Sequence, residues 1–438
     1  MRVLDLIIKK RDGGNLTTEE IEFLISEFTR GDIPDYQMSA FLMAVYFQGL
    51  NAKETTALTT ALAESGEMID FTSLGALVAD KHSSGGVGDK VTLVLAPLVA
   101  AAGVPMAKIA GRGLGFTGGT IDKLESIPGF SARLPVEKFM ELVRENNLAI
   151  MAQTERLTPA DGKLYALRDV TGTVENISLI AASIMSKKIA AGAGAILLDV
   201  KMGKGAFLQN REEAFHLAET MVRIGKEIDR RVVSVVTDMN QPLGLAVGNA
   251  LELKEALAVL RGEGPADVEY LSILLGGYLL ALVGKVRNPE EGQEVLSRLL
   301  KNGAALEKFK QLVHSQGGDV SCLEDPALLP GAKIIKTIKA SKSGYLHEID
   351  ARKVGNAATI LGAGRSVKNQ GIDYSVGIVL NHKIGDMVSE DDILAYIHAN
   401  NEEQLNSALN ELAGTFAIAE ETPEPPPLVY GVIPPFPS

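Results

Sequence analysis

The chain has 438 residues, room for about three domains of ordinary size, and its 46% hydrophobic and 22% charged residues suit sizeable buried cores. A net charge of −12 and the absence of Trp exclude a sequence-independent grip on nucleic acid or anionic lipid and a base-stacking platform, but leave room for a local basic pocket. The single cysteine, Cys322, excludes an internal disulfide and a cysteine-built zinc site.

In chain order, residues 1–65 read as short helices. Met1–Arg11 puts its apolar residues before Lys9, Lys10 and Arg11, the reverse of a secretory signal. The longest uncharged stretch, Val91–Ala107, is broken by Pro97, Gly103 and Pro105 and falls short of a membrane span. A cytoplasmic protein with no membrane or nucleic-acid partner is expected. Thr17 and Glu20 have capping-box spacing, and Ile21, Leu24, Ile25 and Phe28 follow at helical spacing. Gly31 and Pro34 end that helix, an apolar run Tyr36–Phe47 follows, and Asn51 with Glu54 caps another. These helices are apolar on broad faces, so they must bury themselves against other helices or a second subunit.

From about residue 70, short apolar runs alternate with glycine turns and helical stretches. Val91–Leu95, Met106–Ile109, Ile196–Val200 and Val232–Val236 read as strands of a mainly parallel α/β sheet. Gln311–Lys333, with its glycines and prolines, reads as a linker. Gly344–Ile349, Tyr374–Leu380 and Ile393–His398 predict a strand-rich terminal domain, and the prolines after Glu421 keep the last stretch extended.

Two glycine-rich segments carry the chemistry. One is Lys81-His82-Ser83-Ser84-Gly85-Gly86-Val87-Gly88-Asp89; the other runs Gly111–Thr120 and is followed by Asp122 and Glu125. Glycine lets backbone N–H groups converge on an anion, and nearby hydroxyls and a lysine complete a phosphate shell. Neither is a nucleotide motif: Asp89 stands between Gly88 and Lys90 where a P-loop needs Gly-Lys, and Phe116 stands where a dinucleotide fingerprint needs its third glycine. A third group is Tyr165, Arg168, Ser183, Ser186, Lys187 and Lys188. If Ala181–Ile189 is helical, Ser183 and Lys187 share a face beside an apolar wall, a setting that suits a planar polar ring. Of the histidines only His82 lies in a candidate anion loop, and no histidine pattern indicates zinc.

These residues resemble the thymidine phosphorylase family of pyrimidine-nucleoside phosphorylases. The likeness runs nearly end to end, through KKRDG at Lys9–Gly13, KHSSGGVGD from Lys81, GRGLGFTGGTIDKLES from Gly111, LTPADGKLYALRDVTGTV from Leu157, SIMSKKIAAGA from Ser183 and QPLGLAVGNALE from Gln241. It implies reversible phosphorolysis of uridine, thymidine or deoxyuridine to free base and pentose 1-phosphate, with inorganic phosphate as co-substrate and no other cofactor. It also implies a homodimer joined through the N-terminal helices. The implied domains are an all-α unit (1–65 and 161–193), an α/β unit (70–160 and 194–330) and a C-terminal α+β unit (334–438). Carried over, the phosphate contacts are Lys81, Ser83, Ser84, Thr92, Lys108 and Thr120. The substrate contacts are Leu114, Tyr165, Arg168, Ser183 and Lys187. His82, Arg168 and Lys187 would be catalytic, with His82 protonating or hydrogen-bonding the base carbonyl.

The chain departs from the family pattern at Ala110, where a phosphate-contacting Ser is usual, and at Phe116, where His is usual. Bacterial members hold potassium through Gly88, a hydroxyl two residues on, Leu243, Ala246 and Glu255. Here the hydroxyl position is Lys90, so the resemblance implies that its ammonium takes the cation's place beside Glu255. Two other readings remain open: a phosphoribosyltransferase of the anthranilate type, and a non-catalytic nucleoside or phosphate binder.

Overall fold

The computed structural model describes residues 1–113, 115–365 and 370–434. The α-helices of the first 190 residues are α1 (Val3–Arg11), α2 (Thr18–Arg30), α3 (Asp35–Gln48), α4 (Ala52–Ala63), α5 (Val91–Ala101), α6 (Thr120–Leu124), α7 (Val136–Asn146), α8 (Pro159–Thr171) and α9 (Ile177–Ala190). Both capping boxes form: Thr17 and Glu20, and Asn51 and Glu54, exchange side-chain and backbone hydrogen bonds. Gly31 ends α2 at φ 90°, a conformation glycine adopts without the Cβ penalty. The apolar faces of α1–α4 bury Leu24, Ile25, Phe28, Leu42 and Leu58 together with Leu164 of α8 and Leu179 of α9. A buried Lys10–Glu54 pair at 2.8 Å ties α1 to α4, and Glu54 also accepts from Leu16 N.

The parallel part of the six-stranded central sheet is formed by β1 (Ala79–Ser83), β2 (Met106–Ala110), β3 (Leu148–Ala152), β4 (Ala195–Met202) and β5 (Arg231–Asp238). These pair in parallel in the order β5-β4-β1-β2-β3, with His82 opposite Leu198 and Lys108 opposite Ile150. Two expectations are corrected here. Val91–Leu95 belongs to helix α5 and not to a strand, because nearly all of α5 is buried and a helix apolar all round shows no period. The strand is instead Ala79–Ser83, which polar side chains disguise in the sequence. Gln311–Lys333 is also not a bare linker. The helix Ala304–Ser315 runs into it, followed by helical turns at Ser321–Glu324 and Pro326–Leu328.

The C-terminal part carries two small antiparallel sheets and the helices Ala351–Leu361 and Glu402–Glu411. The proline-rich tail then leaves it. Its strand Val429–Ile433 pairs antiparallel with β5, so the end of the chain covers the edge of the α/β sheet. Among the described residues, no helix is long and apolar enough to cross a membrane.

Candidate active site

Alternation along β1 sorts its charges onto two faces. On one face Asp80 lies 2.7 Å from Lys188 and 3.5 Å from Lys108, with His82 beside them. On the other, Lys81 lies 3.0 Å from Asp199 and 3.7 Å from Asp89, and Lys201 lies 2.8 Å from Asp199. Charges buried this deeply persist because each has an opposite partner.

Where β1, β2 and β3 end, a cavity of about 280 Å³ opens. One wall is the first glycine segment, with His82, Ser83, Gly85 and Gly86, continued by Thr92 in the first turn of α5. A helix N-terminus offers unpaired N–H groups and the positive end of a dipole. The second wall is Lys108, Ala110 and the second glycine segment up to Thr120. That loop doubles back tightly: a Cβ on Gly119 would lie 2.2 Å from Gly113 N. The third wall comes from the helical unit, through Ile184, Lys187 and Lys188 of α9.

Electrostatics tune the groups in this cavity. Burial, reinforced by Lys188, Lys108, Lys81 and Lys187, pushes His82 well below its ordinary pKa, so its imidazole is neutral near pH 7. Burial and the charges of Lys188 and Lys81 bring Lys108 down to about 7, against the opposing pull of Asp80. Asp89 moves the other way. Despite its burial, Lys81, Lys201 and Lys123 hold it in the carboxylate form.

Of the expected phosphate residues, Ser83, Thr92, Lys108 and Thr120 line the cavity. Lys81 does not: its fully buried ammonium is turned to the opposite face of β1, between Asp89 and Asp199. Ser84 is also turned away, its hydroxyl accepting from Lys201 N at 2.7 Å. On the α9 side, Lys187 donates to Ser183 Oγ (2.9 Å) and pairs with Asp161 (2.7 Å), leaving one ammonium N–H for the cavity. Tyr165 packs its ring 6.0 Å from Lys187 Nζ and 5.9 Å from the Arg168 guanidinium. Arg168 does not reach the cavity. It donates to Thr173 O (3.1 Å) and Val174 O (2.6 Å), carbonyls left between α8 and α9, and to Leu179 O (3.3 Å) in the first turn of α9. Leu114 lies outside the described residues.

Sequence reasoning missed Asp80, Asp161, Asp199 and Lys201, which fix the charges, and Gln153, whose amide lines the cavity at the end of β3. The available signal was alternation: Asp80-Lys81 and Asp199-Val200-Lys201 put charges inside runs otherwise fit for buried strands. Beneath the first loop, Lys90 Nζ donates to Leu243 O (2.8 Å) and Ala246 O (2.9 Å) and pairs with Glu255. A Cβ on Gly88 would sit 2.7 Å from Leu243 O, so the loop lies directly on this arrangement. Among the described residues, no cluster of three or more His, Cys, Asp or Glu could hold a metal.

Sequence comparison places the chain. A glycosyl transferase family a/b domain matches residues 75–306, and the family's helical bundle domain matches 4–66. A pyrimidine nucleoside phosphorylase C-terminal domain matches residues 345–419. A pyrimidine-nucleoside phosphorylase from Geobacillus stearothermophilus is 51% identical over 99% of this chain and 100% of its own length. One from Staphylococcus haemolyticus is 52% identical with the same coverage. The chain belongs to the pyrimidine-nucleoside phosphorylase family. Among solved structures, anthranilate phosphoribosyltransferase from Thermus thermophilus is similar with a TM-score of 0.58. The match covers 73% of this chain and 99% of that one at 19% identity, a likeness of fold. In this chain the two glycine segments and the α9 wall line one cavity.

Proposed function

We propose that the chain catalyses reversible phosphorolysis of uridine, thymidine and deoxyuridine, giving the free base and ribose or deoxyribose 1-phosphate. The observation that carries this is the cavity's division: anion-binding loops with Lys108 on one side, the Lys187 ammonium on the other, and a neutral His82 between them. Phosphate rests on the loops and the base lies against α9. The C1′–N1 bond breaks, its electron pair goes to the pyrimidine, and a phosphate oxygen bonds C1′. Holding both reactants in line can contribute ~7–11 kcal/mol.

Lys187 supplies a donor where charge develops on the base. His82, kept neutral by burial and four lysines, acts as a hydrogen-bond donor to the base carbonyl and not as a charged acid. Arg168 stiffens the α8–α9 junction with three of its five N–H groups and so supports the helical wall from behind. Lys90 fills the cation position, so potassium is dispensable. Leu4 and Ile8 of α1 and Tyr36 and Phe47 of α3 are exposed, and they form the contact of a homodimer.

The phosphoribosyltransferase alternative needs free carboxylates for magnesium pyrophosphate. Those beside the loops are engaged: Asp89 near Lys81, Asp122 and Glu125 with Arg112, and Glu252 with Lys123. Uracil and ribose 1-phosphate should give uridine and phosphate without magnesium, and uracil with 5-phosphoribosyl pyrophosphate and magnesium should give nothing. The opposite pair of results would make the chain a phosphoribosyltransferase.

A further inference from the structure

Both anion loops are rich in glycine, which leaves their N–H vectors free to wander unless something outside holds them. The helix Ala351–Leu361 of the C-terminal part lies against both. A Cβ on Gly355 would sit 2.5 Å from Phe116 O in the second loop and 2.8 Å from Val87 in the first. Arg352 donates from Nε to Lys204 O (3.1 Å) and from Nη2 to Ala206 O (2.8 Å). Those carbonyls belong to the turn after β4 that meets the first loop, through a Gly86–Ala206 bridge and a Val87 N to Gly205 O hydrogen bond of 3.2 Å. Cζ of the same guanidinium lies over the Phe116 ring, 4.4 Å from its centre. Phe116 in turn packs 5.2 Å from Phe207. Arginine alone among the cations can stack on a ring while its edge donates to two carbonyls.

Two further contacts pin the second loop. Thr359 Oγ1 donates to Gly115 O at 2.8 Å, and Gly115 N donates to Arg365 O at 3.3 Å. Arg365 also meets Asp122 at 3.0 Å, and Asp122 accepts from Gly113 N at 2.7 Å. One side chain, Arg352, thus touches the supports of both loops.

We infer that Arg352 is a positioning residue for phosphate: through the Phe116 ring and the 204–206 turn it sets the two glycine loops at the spacing that phosphate bridges. This rests on the reading that phosphate occupies those loops. In steady-state assays with uridine, Arg352→Ala should raise the phosphate KM roughly ten-fold. The uridine KM and the kcat at saturating phosphate should change less than about two-fold. Arg352→Lys, which keeps a cationic donor and loses the planar fork, should fall between. A folded Arg352→Ala whose phosphate KM is unchanged, or whose two KM values rise together, overturns the inference, whatever its melting temperature. If Arg352→Ala does not fold, Arg352→Lys decides by the same split. Ser83→Ala separates the two claims. If it raises the phosphate KM while Arg352→Ala does not, only the positioning role fails. If neither moves it, the phosphate subsite itself is misplaced and the inference falls with it.

Discussion

Lys108 is the cavity group whose charge changes near neutrality, because burial and two neighbouring ammoniums bring it to about 7. Its protonated form attracts an anion and its neutral form does not, so anion affinity is full below that value and falls as pH rises through it. Sulfate keeps its charge from about pH 6 to 9, so its competition with phosphate should weaken through ~7. A flat inhibition constant would mean that Lys108 does not titrate there. His82 gives a second test. If the neutral ring only donates a hydrogen bond, His82→Asn should keep far more activity than His82→Ala; equal losses would restore the general acid role. Lys187→Ala should lower kcat/KM by ~2–3 kcal/mol, the value of a charged donor to a developing anion. At Ala110, which is buried on the cavity wall, Ala110→Ser adds a hydroxyl worth ~1.5–3 kcal/mol to a charged ligand. The phosphate KM should then drop by about ten-fold or more, and an unchanged value would show that a backbone group already serves.

At the scale of elements, the Lys90 clamp joins the start of α5 to the segment Leu243–Ala246 and to Glu255. With a fixed ammonium on those carbonyls, activity should not change when potassium is replaced by a bulky organic cation at constant ionic strength. A requirement for potassium would contradict this. Much of the helical unit was legible, because its caps are local: Thr17–Glu20 and Asn51–Glu54 form in the structure as their spacing predicts. The parallel sheet was legible as a class but not strand by strand. An apolar run is a buried helix at Val91–Ala101 and a buried strand at Ala195–Met202, and tertiary surroundings decide between them. The site was legible where glycines and hydroxyls mark it. It was not legible where a side chain's direction matters. Lys81 and Ser84 sit in the loop motif yet point away from the cavity, and Arg168 spends its donors on the turn behind it.

At the scale of the molecule, three parts of the chain meet around one cavity. α9 brings the helical wall, the parallel sheet brings both loops, and the C-terminal helix Ala351–Leu361 lies behind those loops. The tail strand Val429–Ile433 fastens the last part back onto β5. The exposed apolar residues on α1 and α3 predict a dimer, so light scattering should give twice the chain mass and Phe47→Asp should reduce it. A native mass equal to one chain would contradict that assignment. In the proposed reaction, phosphate held on the glycine loops is the nucleophile at C1′. Release of uracil from uridine by the purified protein, followed with and without inorganic phosphate, tests it most directly. Release should occur only with phosphate, matched mole for mole by ribose 1-phosphate. Equal release in its absence would make water the nucleophile and contradict the claim.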